Sequence, residues 1–318
     1  MSIPGAPFRL LLRVRQKLYE TGVLPTFRLP FPVISVGNLT LGGTGKTPLV
    51  IALAEGLRAR GFRPVILSRG YKRTSRGVLV AGNSWEESGD EAYLMSQRLE
   101  NVPVVVGADR YEAGLLARRR NLGDVFILDD GFQHRRLHRE VDIVTIDPVE
   151  WAAGESLLPS GPWREPKGAI GRAHFACVQD VPNIPRPSLS IPSFVVRTQV
   201  DGVYRNNERV PLEAIRGRTI VAFAAIAKPE RFFDTLVSLD LRPAKCVRFR
   251  DHHRFSRREV EELGGADGEV RITTEKDAVR LRNLNIGDFL WVRVSVNIPE
   301  FEQLLDAIIS KCSFPPRV

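Results

Sequence analysis

One short stretch of the chain has residue types suited to phosphate binding. The stretch Gly42-Gly43-Thr44-Gly45-Lys46-Thr47 lies between an apolar run and a helical pattern that starts at Pro48. Glycines allow backbone N–H groups to turn toward a phosphate, and the start of a helix adds the positive end of its dipole. We therefore expect Lys46 to reach the β- and γ-phosphates of ATP and the Thr47 hydroxyl to ligate Mg²⁺.

Thr40 departs from the usual G-x-x-x-x-G-K-[ST] pattern, because it stands where the first glycine is expected. The last glycine-rich positions form most of the phosphate cradle, so Thr40 does not remove the predicted chemistry. A dinucleotide-binding turn fits less well, because a third glycine is missing at the required spacing and Lys46 would have no purpose there.

Two adjacent carboxylates follow another apolar run. The run 125–128 ends in Asp129 and Asp130, and Gly131-Phe132-Gln133-His134 comes next. In open α/β sheets ligands bind at the carboxyl ends of strands, so these acids are expected to face the same crevice as the phosphate loop. We predict that one of them holds Mg²⁺ directly or through water. The alternative is that the pair caps a helix or forms ion pairs with the following arginines.

Apolar runs alternate with helical patterns through the first half of the chain. The apolar runs are 32–37, 64–68, 102–107, 125–129 and 141–146, and the helical patterns lie near 46–60, 88–100 and 110–121. This alternation predicts an α/β fold of the P-loop NTPase type, with a mostly parallel sheet covered by helices on both faces.

Prolines at 182, 185, 187 and 192 interrupt this pattern, and a shorter alternation follows. Its apolar runs are 219–224, 245–249, 269–273 and 289–296. We predict four segments: a lead-in at 1–30, a core domain at 31–190, a connection at 191–216 and a smaller α/β domain at 217–318. Within the connection, 194–200 and 202–205 are candidates for a pair of strands.

Composition limits the class of protein. The chain has 318 residues, 43% of them apolar, a net charge of +9 and a pI near 9.8, which favour anionic partners. No uncharged apolar run reaches about 18 residues, so neither a spanning helix nor a secretory signal is expected. Cys177, Cys246 and Cys312 are far apart and lack metal-binding spacing, so we expect buried thiols in a reducing compartment.

Residues 7–20 follow helical spacing with a basic face and an apolar face. The first face carries Arg9, Arg13, Lys17 and Glu20, and the second carries Leu11, Leu12, Val14, Leu18 and Tyr19, with Arg15 interrupting the apolar arc. Such a helix can lie on a membrane but cannot cross one. Packing on its own domain is the alternative.

Two other functions are compatible with parts of this pattern. P-loop ATPases with K-G-G-x-G-K-[ST] share the loop, but Leu41 replaces their signature lysine. A nucleic-acid-binding ATPase would need clustered basic residues interleaved with aromatic ones, and only 69–76 and 248–258 are dense in arginine or lysine.

Taken together, several motifs resemble the tetraacyldisaccharide 4′-kinases of lipid A biosynthesis. The matching stretches are VGNLTLGGTGKTP (36–48), LSRGYKR (67–73), SWEESGDE (84–91), ADRYEAG (108–114), ILDDGFQHRRLHRE (127–140), LLPSGPWREP (157–166), FRDHHRFS (249–256) and TTEKDAVRL (273–281). They extend over about 10–310. The resemblance implies transfer of the γ-phosphate of ATP to the 4′-hydroxyl of a tetraacyldisaccharide 1-phosphate, which gives lipid IVA, the precursor of the lipid A of lipopolysaccharide.

The resemblance also implies roles for individual residues. A carboxylate must accept the proton of the sugar hydroxyl while Mg²⁺ and Lys46 neutralise the transferred group, and Asp90 is the expected base. The Asp-His motif of the family supplies a partner for Asp90 at His252, which domain closure would bring to it; His253 is the alternative. Glu91 and Gln133 are expected in the outer shell of the metal.

The remaining expectations follow from the chemistry of the acceptor. Its 1-phosphate needs bidentate donors, for which Arg69, Arg110 and Arg164 are the candidates. Four acyl chains keep the acceptor in the bilayer, so helix 7–20 is expected to rest on an anionic surface, at the cytoplasmic face of the bacterial inner membrane. No nucleic acid and no obligate protein partner are indicated.

Overall fold

The computed structural model describes residues 6–264, 268–284 and 286–314. The strands are β1 Val33–Asn38, β2 Pro64–Ser68, β3 Leu79–Val80, β4 Val104–Val106, β5 Val125–Asp129, β6 Val141–Ile146, β7 Phe175–Gln179, β8 Ser193–Arg205, β9 Glu208–Val210, β10 Thr219–Ala224, β11 Lys245–Arg248, β12 Glu269–Thr274 and β13 Leu290–Asn297. The helices are α1 Ala6–Glu20, α2 Lys46–Ala59, α3 Trp85–Ser88, α4 Asp90–Arg98, α5 Arg110–Arg119, α6 Pro148–Ala152, α7 Pro229–Ser238, α8 Arg257–Glu261, α9 Glu275–Leu281 and α10 Phe301–Lys311.

The chain divides into two compact units. The first comprises the residues up to Thr198 together with those from Val296 onward, and the second comprises Gln199–Ser295. This division differs from the expected one at the C-terminal end, because α10 belongs to the first unit. There α10 packs on α2 so closely that a Cβ on Gly56 would lie 2.7 Å from Leu305 and 2.9 Å from Phe301.

The sheet of the first unit has the order β3-β4-β2-β5-β1-β6-β7-β8. All neighbouring strands are parallel except β3, which is antiparallel to β4. Parallel strands covered on both faces must be apolar at nearly every position, and β1, β2, β5 and β6 are buried throughout. The predicted α/β architecture is confirmed, although strand β7 was not among the predicted strands.

Helices cover both faces of this sheet. Ala113 and Ala117 of α5 pack against Val33, Val65 and Phe126, which point to one face. Residues that alternate with these along the strands, such as Ile34, point to the opposite face of the sheet and are equally buried. On α2, five large or medium apolar residues are buried, and full burial of each stabilises the fold by about 1.5–3 kcal/mol; they are Leu49, Val50, Ile51, Leu53 and Leu57.

The second unit has a smaller parallel sheet with the order β11-β10-β12-β13. Its core includes Phe232, Phe233 and Leu236 of α7, packed against β10, β12 and β13. In the connection, 194–205 forms the single strand β8 and not two, and its C-terminal end pairs antiparallel with β9. Cys177 and Cys312 are buried, but Cys246 is exposed because it lies on the edge strand β11, so the expectation of a buried thiol was wrong there.

Within the part of the chain that the structure describes, none of the helices has both the length and the hydropathy needed to span a bilayer. Helix α1 has one side on the protein, where Phe8 and Leu12 pack against the cluster that contains Leu39 and Phe132. Its apolar arc is therefore divided, because Leu10, Leu11 and Val14 remain exposed.

Candidate active site

The glycine-rich loop connects β1 to α2 in a geometry that only glycine adopts easily. Gly42 has φ 110° and Gly45 has φ 79°, both outside the range that L side chains favour. A Cβ on Gly45 would also lie 2.5 Å from Nε2 of Gln179. Helix α2 begins at Lys46, so the backbone N–H groups of its first turn point toward the loop, where an anion is stabilised.

The phosphate loop and the paired carboxylates lie at the same end of two neighbouring strands. Strands β1 and β5 are parallel, and Val36 is paired with Asp129. Across this end, Nζ of Lys46 lies 3.2 Å from Oδ1 of Asp130 and donates to Oδ1 of Asn38 at 3.0 Å. The structure therefore brings together the two motifs that the sequence predicted to face one crevice.

Asp130 is held between two cations. Its backbone has φ 50°, which is uncommon for a residue with a side chain, and Nη1 of Arg164 donates to both of its carboxylate oxygens at 3.0 and 2.9 Å. Burial by itself would raise the pKa of Asp130, but the charges of Lys46 and Arg164 outweigh it and lower the pKa to about 2. Asp130 is thus an anion at neutral pH.

Asp129 is in the opposite electrostatic situation. It is only 3% exposed, and it accepts a hydrogen bond from Oγ of Ser68 at 3.0 Å. Burial, followed by the charges of Glu91 and Asp130, raises its pKa to about 7, although Lys46 and Ser68 oppose this shift. A buried carboxyl group whose ionised form is disfavoured in this way is suited to a divalent cation, which would stabilise the carboxylate.

Asp90 lies at the start of α4, where it is 4% exposed and its Oδ1 accepts from the backbone N–H of Glu91 at 2.9 Å. The preceding Gly89 has φ 86°, and a Cβ there would lie 2.9 Å from the carbonyl carbon of Gly70. The SGDE and SRGY motifs therefore touch through two glycines. This contact fixes the entry into α4 and with it the backbone of Asp90.

The three predicted arginines belong to the same region but differ in their contacts. Arg110 is 5% exposed, and burial, followed by the charge of Arg69, lowers its pKa, while Asp130 and Asp129 raise it. Arg110 therefore lies close enough to Arg69 and the two aspartates to feel their charges. Arg164 contacts Asp130, so a role in steadying that carboxylate is visible in the structure.

Gln133 connects several of these groups. Its Nε2 donates to the backbone oxygen of Asn38 at 2.9 Å and to Oε1 of Glu165 at 3.1 Å, while its Oε1 accepts from Arg164 at 3.3 Å. This arrangement ties the segment after β5 to the end of β1. The place of Gln133 in the outer shell of a metal stays a prediction.

Sequence reasoning missed several polar residues that position the loop. Asn38 binds both Lys46 and, through Nδ2, the Oγ1 of Thr44 at 3.1 Å. Oγ1 of Thr44 is also 2.7 Å from that of Thr145, and Nε2 of Gln179 donates to the Thr44 carbonyl at 3.3 Å. Each of these residues lies at the carboxyl end of a strand or in the loop itself, and that position is the signal that would have found them.

Thr40 has a structural role in place of the missing glycine. Its Oγ1 donates to Oε2 of Glu150 at 2.5 Å, and its backbone forms an antiparallel bridge with Trp163. The neighbouring Leu39 carbonyl accepts from the N–H of Arg164 at 2.7 Å. The exit from β1 is therefore paired with the segment that delivers Arg164 to Asp130.

In the second unit the two histidines have different surroundings. Nε2 of His252 lies 3.2 Å from Nζ of Lys276, and its backbone, at φ 58°, donates to the Ala225 carbonyl at 3.1 Å. His253 stacks on Phe249 with ring centroids 4.9 Å apart and lies 3.1 Å from Glu259. Asp90 and His252 belong to different units, and their pairing stays a prediction.

Among the described residues no three histidine, cysteine or acidic side chains form a ready-made metal cage. Mg²⁺ does not require one, because it is usually bound by one or two carboxylates together with phosphate oxygens and water. Asp129, Asp130 and the Thr47 hydroxyl at the start of α2 supply ligand types of that kind.

A glycine-rich loop at the start of a helix, with its lysine beside a carboxylate on the neighbouring strand, defines a P-loop nucleotide-binding protein of the phosphotransferase type. The sequence profile of the tetraacyldisaccharide-1-P 4'-kinase family matches residues 2–311. The chain therefore belongs to this family, as its motifs indicated, and the expected enzyme class, a kinase with an alcohol group as acceptor, agrees with it.

Individual relatives give the same result. The tetraacyldisaccharide 4'-kinase of Pelobacter propionicus is 38% identical over 95% of this chain and 89% of its own length, and that of Aquifex aeolicus is 38% identical over 86% and 87%. A crystal structure of LpxK from Aquifex aeolicus in complex with ATP superposes with a TM-score of 0.83, at 34% identity, covering 98% of this chain and 99% of that one. The predicted fold class and family are confirmed.

Proposed function

We propose that the protein transfers the γ-phosphate of ATP to the 4′-hydroxyl of a tetraacyldisaccharide 1-phosphate and so forms lipid IVA. The observation that carries this proposal is the contact between Lys46, at the first residue of α2, and Asp130, at the end of β5. This contact supports a site in which the phosphates of bound ATP would lie next to carboxylates that bind a metal ion. Membership of the kinase family supports the tetraacyldisaccharide 1-phosphate as the acceptor.

The glycine-rich loop would hold ATP. Backbone N–H groups from Gly42 to Thr47 and the start of α2 would bind the phosphates, and Lys46 would exchange part of its contact with Asp130 for the β- and γ-phosphates. Mg²⁺, held by Asp129, Asp130 and Thr47 with Glu91 and Gln133 behind them, would neutralise charge on the transferred group. The raised pKa of Asp129 supports this assignment, because a divalent cation would stabilise the carboxylate form.

Asp90 would accept the proton of the attacking hydroxyl. It is buried at the start of α4, and Glu91, the next residue, interacts electrostatically with Asp129. A general base must lie within hydrogen-bond reach of the hydroxyl, and this placement beside the carboxylate cluster is compatible with that requirement. His252 is proposed as its partner, because Asp251-His252 matches the Asp-His motif of the family, while His253 packs on Phe249 and lies beside Glu259.

Arg69 and Arg110 would bind the anionic acceptor. Both are basic, and Arg110 lies close enough to Arg69, Asp129 and Asp130 to feel their charges, so the two arginines suit the 1-phosphate or the transferred group. Arg164 would contribute mainly by holding Asp130, with which it forms two hydrogen bonds.

The exposed side of α1 would rest on the membrane that contains the acceptor. Leu10, Leu11 and Val14 are 62%, 60% and 51% exposed, and the side chains of Arg13 and Lys17 are exposed beside them. An apolar stripe next to basic residues favours an anionic surface, which for this enzyme would be the cytoplasmic face of the inner membrane. Flotation with anionic liposomes tests this, with Leu10, Leu11 and Val14 changed to Gln and Val237→Gln of α7 as control; equal flotation of the two variants would refute it.

The function itself is tested by incubating the protein in detergent micelles with labelled ATP, Mg²⁺ and the tetraacyldisaccharide 1-phosphate. Wild type should label the acceptor, Lys46→Ala and Asp90→Ala should be slower by at least about a hundredfold, and Glu112→Ala, an exposed acid on α5, should match wild type. No labelling by wild type would refute the function. Labelling by Asp90→Ala at the wild-type rate would refute only the role of Asp90 as the base.

The same assay tests the histidine. His252→Gln should slow transfer and His253→Gln should not, provided that both variants fold. If His252 acts through Asp90, His252→Gln combined with Asp90→Asn should be no slower than Asp90→Asn alone. If the rate losses of the two single variants multiplied in the double variant, the two residues would act independently.

A further inference from the structure

Helix α1 makes a direct hydrogen bond to the segment that follows the paired carboxylates. Nη2 of Arg15 donates to the backbone oxygen of Gln133 at 2.7 Å, across 118 residues of sequence. The Arg15 guanidinium also lies over the ring of Tyr19, 5.6 Å from its centroid, and Arg135 lies over the same ring at 5.0 Å. Arg15 interrupts the apolar arc of α1, and this contact explains why a cation is found there.

The contact holds a segment with several ties to the candidate active site. The side chain of Gln133 donates to the Asn38 backbone oxygen and accepts from Arg164, and Arg164 in turn donates to Asp130. Asp130 lies 3.2 Å from Nζ of Lys46. Displacement of the Gln133 backbone would therefore move a hydrogen-bonding partner of Arg164 and loosen the carboxylate beside the phosphate-binding lysine.

Other contacts along the helix do not replace this bond. Phe8 and Leu12 pack on the protein through apolar surface, which leaves their sliding and rotation weakly restricted. Arg9 pairs with Glu155, far along the chain from the carboxylates. The Arg15 bond is directional, and it acts on the backbone of the residue whose side chain bridges the site.

We infer that Arg15 is a positioning residue for phosphate transfer: it fixes the Gln133 backbone so that Gln133 and Arg164 keep Asp130 in place beside Lys46. The inference rests on the proposed kinase function. It gives α1 a task distinct from membrane contact, because the Arg15 guanidinium, on the side of α1 that carries Phe8 and Leu12, is engaged with the active-site segment.

The test compares two variants that remove the same charge. Arg15→Gln loses the bond, since the shorter side chain does not reach the Gln133 carbonyl, whereas Arg119→Gln removes an exposed arginine at the end of α5. Arg15→Lys is the conservative variant, because its ammonium can donate to the carbonyl. The full-length proteins are assayed in micelles with labelled ATP and the acceptor, and flotation with anionic vesicles and thermal unfolding are measured in parallel.

Arg15→Gln is expected to lower kcat about fivefold to tenfold with little change in the KM for ATP, the pattern of a lost transition-state arrangement. Arg119→Gln should keep the wild-type kcat, Arg15→Lys should stay within about twofold of it, and the two Gln variants should float and unfold alike. Equal kcat for the two Gln variants would overturn the inference, and so would a loss in Arg15→Gln that Lys does not restore. A wild type without transfer activity would instead refute the proposed function.

Discussion

Nζ of Lys46 lies 3.2 Å from Oδ1 of Asp130, although the two residues belong to different motifs, which follow the neighbouring strands β1 and β5. The carboxylate holds the lysine at the mouth of the glycine-rich loop, and Arg164 holds the carboxylate from its other side. A phosphate that enters the loop would thus meet a lysine that is already oriented, which limits the reorganisation needed during the reaction.

The first prediction concerns this contact. Asp130→Asn and Lys46→Met should each lower kcat by about a hundredfold or more, because both act on the charge of the transferred group. Since the two residues work as one arrangement, the double variant should be about as slow as the slower single variant. Glu55→Gln, on the exposed side of α2, should leave kcat unchanged; losses that multiply in the double variant would contradict the coupling.

The second prediction concerns the pH dependence of stability. The folded-state pKa of Asp129 is about 7, above its ordinary value, so the folded protein binds a proton that the unfolded chain releases between about pH 4 and pH 7. The stabilisation from protonated Asp129 is complete below about pH 4 and is lost as the pH rises through 7. Asp129→Asn has no carboxyl group to ionise and therefore does not lose this stabilisation. The melting temperature of Asp129→Asn minus that of wild type should therefore increase from pH 5 to pH 8.

Two controls accompany this measurement. Asp124→Asn, at a partly exposed site on the surface, should not show the same trend. Addition of Mg²⁺ should raise the melting temperature of wild type more at pH 8 than at pH 5, because the cation competes with the proton for Asp129. A difference between Asp129→Asn and wild type that is constant over this range would show that Asp129 keeps an ordinary pKa.

The third prediction concerns the contact between the SGDE and SRGY motifs. Gly89→Ala should destabilise the protein by about 1–3 kcal/mol, because φ 86° is unfavourable for alanine and the new Cβ would lie 2.9 Å from Gly70. It should also slow transfer, since Asp90 is the next residue. Gly168→Ala serves as the control, because its Cβ would meet no atom within 4 Å; equal urea midpoints for both variants would disprove the strain.

The fourth prediction concerns the support of the segment after β5. Nε of Arg139 donates to Asp142 at 2.7 Å, and its Nη1 and Nη2 donate to the carbonyls of His134 and Phe132 at 2.8 and 3.2 Å. Arg139→Gln should cost about 3–5 kcal/mol, because it leaves the buried Asp142 charge uncompensated. Adding Asp142→Asn should recover part of this loss.

Urea unfolding measures these effects, with Arg63→Gln as a control from an exposed ion pair with Asp124, where the change should stay below about 1 kcal/mol. If Asp142→Asn deepened the loss caused by Arg139→Gln, the uncompensated charge would not be its cause. The backbone carbonyls would then account for it.

Several features were predictable because they depend on local pattern. Strands β1, β2, β5 and β6 are buried on both faces, so their apolar runs stood out, whereas β7 was missed although it is equally buried. The glycine-rich loop could be recognised from the sequence, because φ values such as those of Gly42 and Gly45 are readily adopted only by glycine. The return of the chain to the first unit at Val296 was not predictable, because the packing of α10 on α2 depends on the shape around Gly56.

The sequence by itself determined the α/β alternation, the phosphate loop that ends in Lys46, the acidic end of β5 and the membership of a kinase family, because each is written in residue types at short spacing. The tertiary structure decided that β5 lies beside β1, that Arg164 and Lys46 share Asp130, and that Arg15 reaches Gln133. These contacts join residues far apart in the chain. They arise from the packing of whole elements, which side-chain spacing along one segment does not specify.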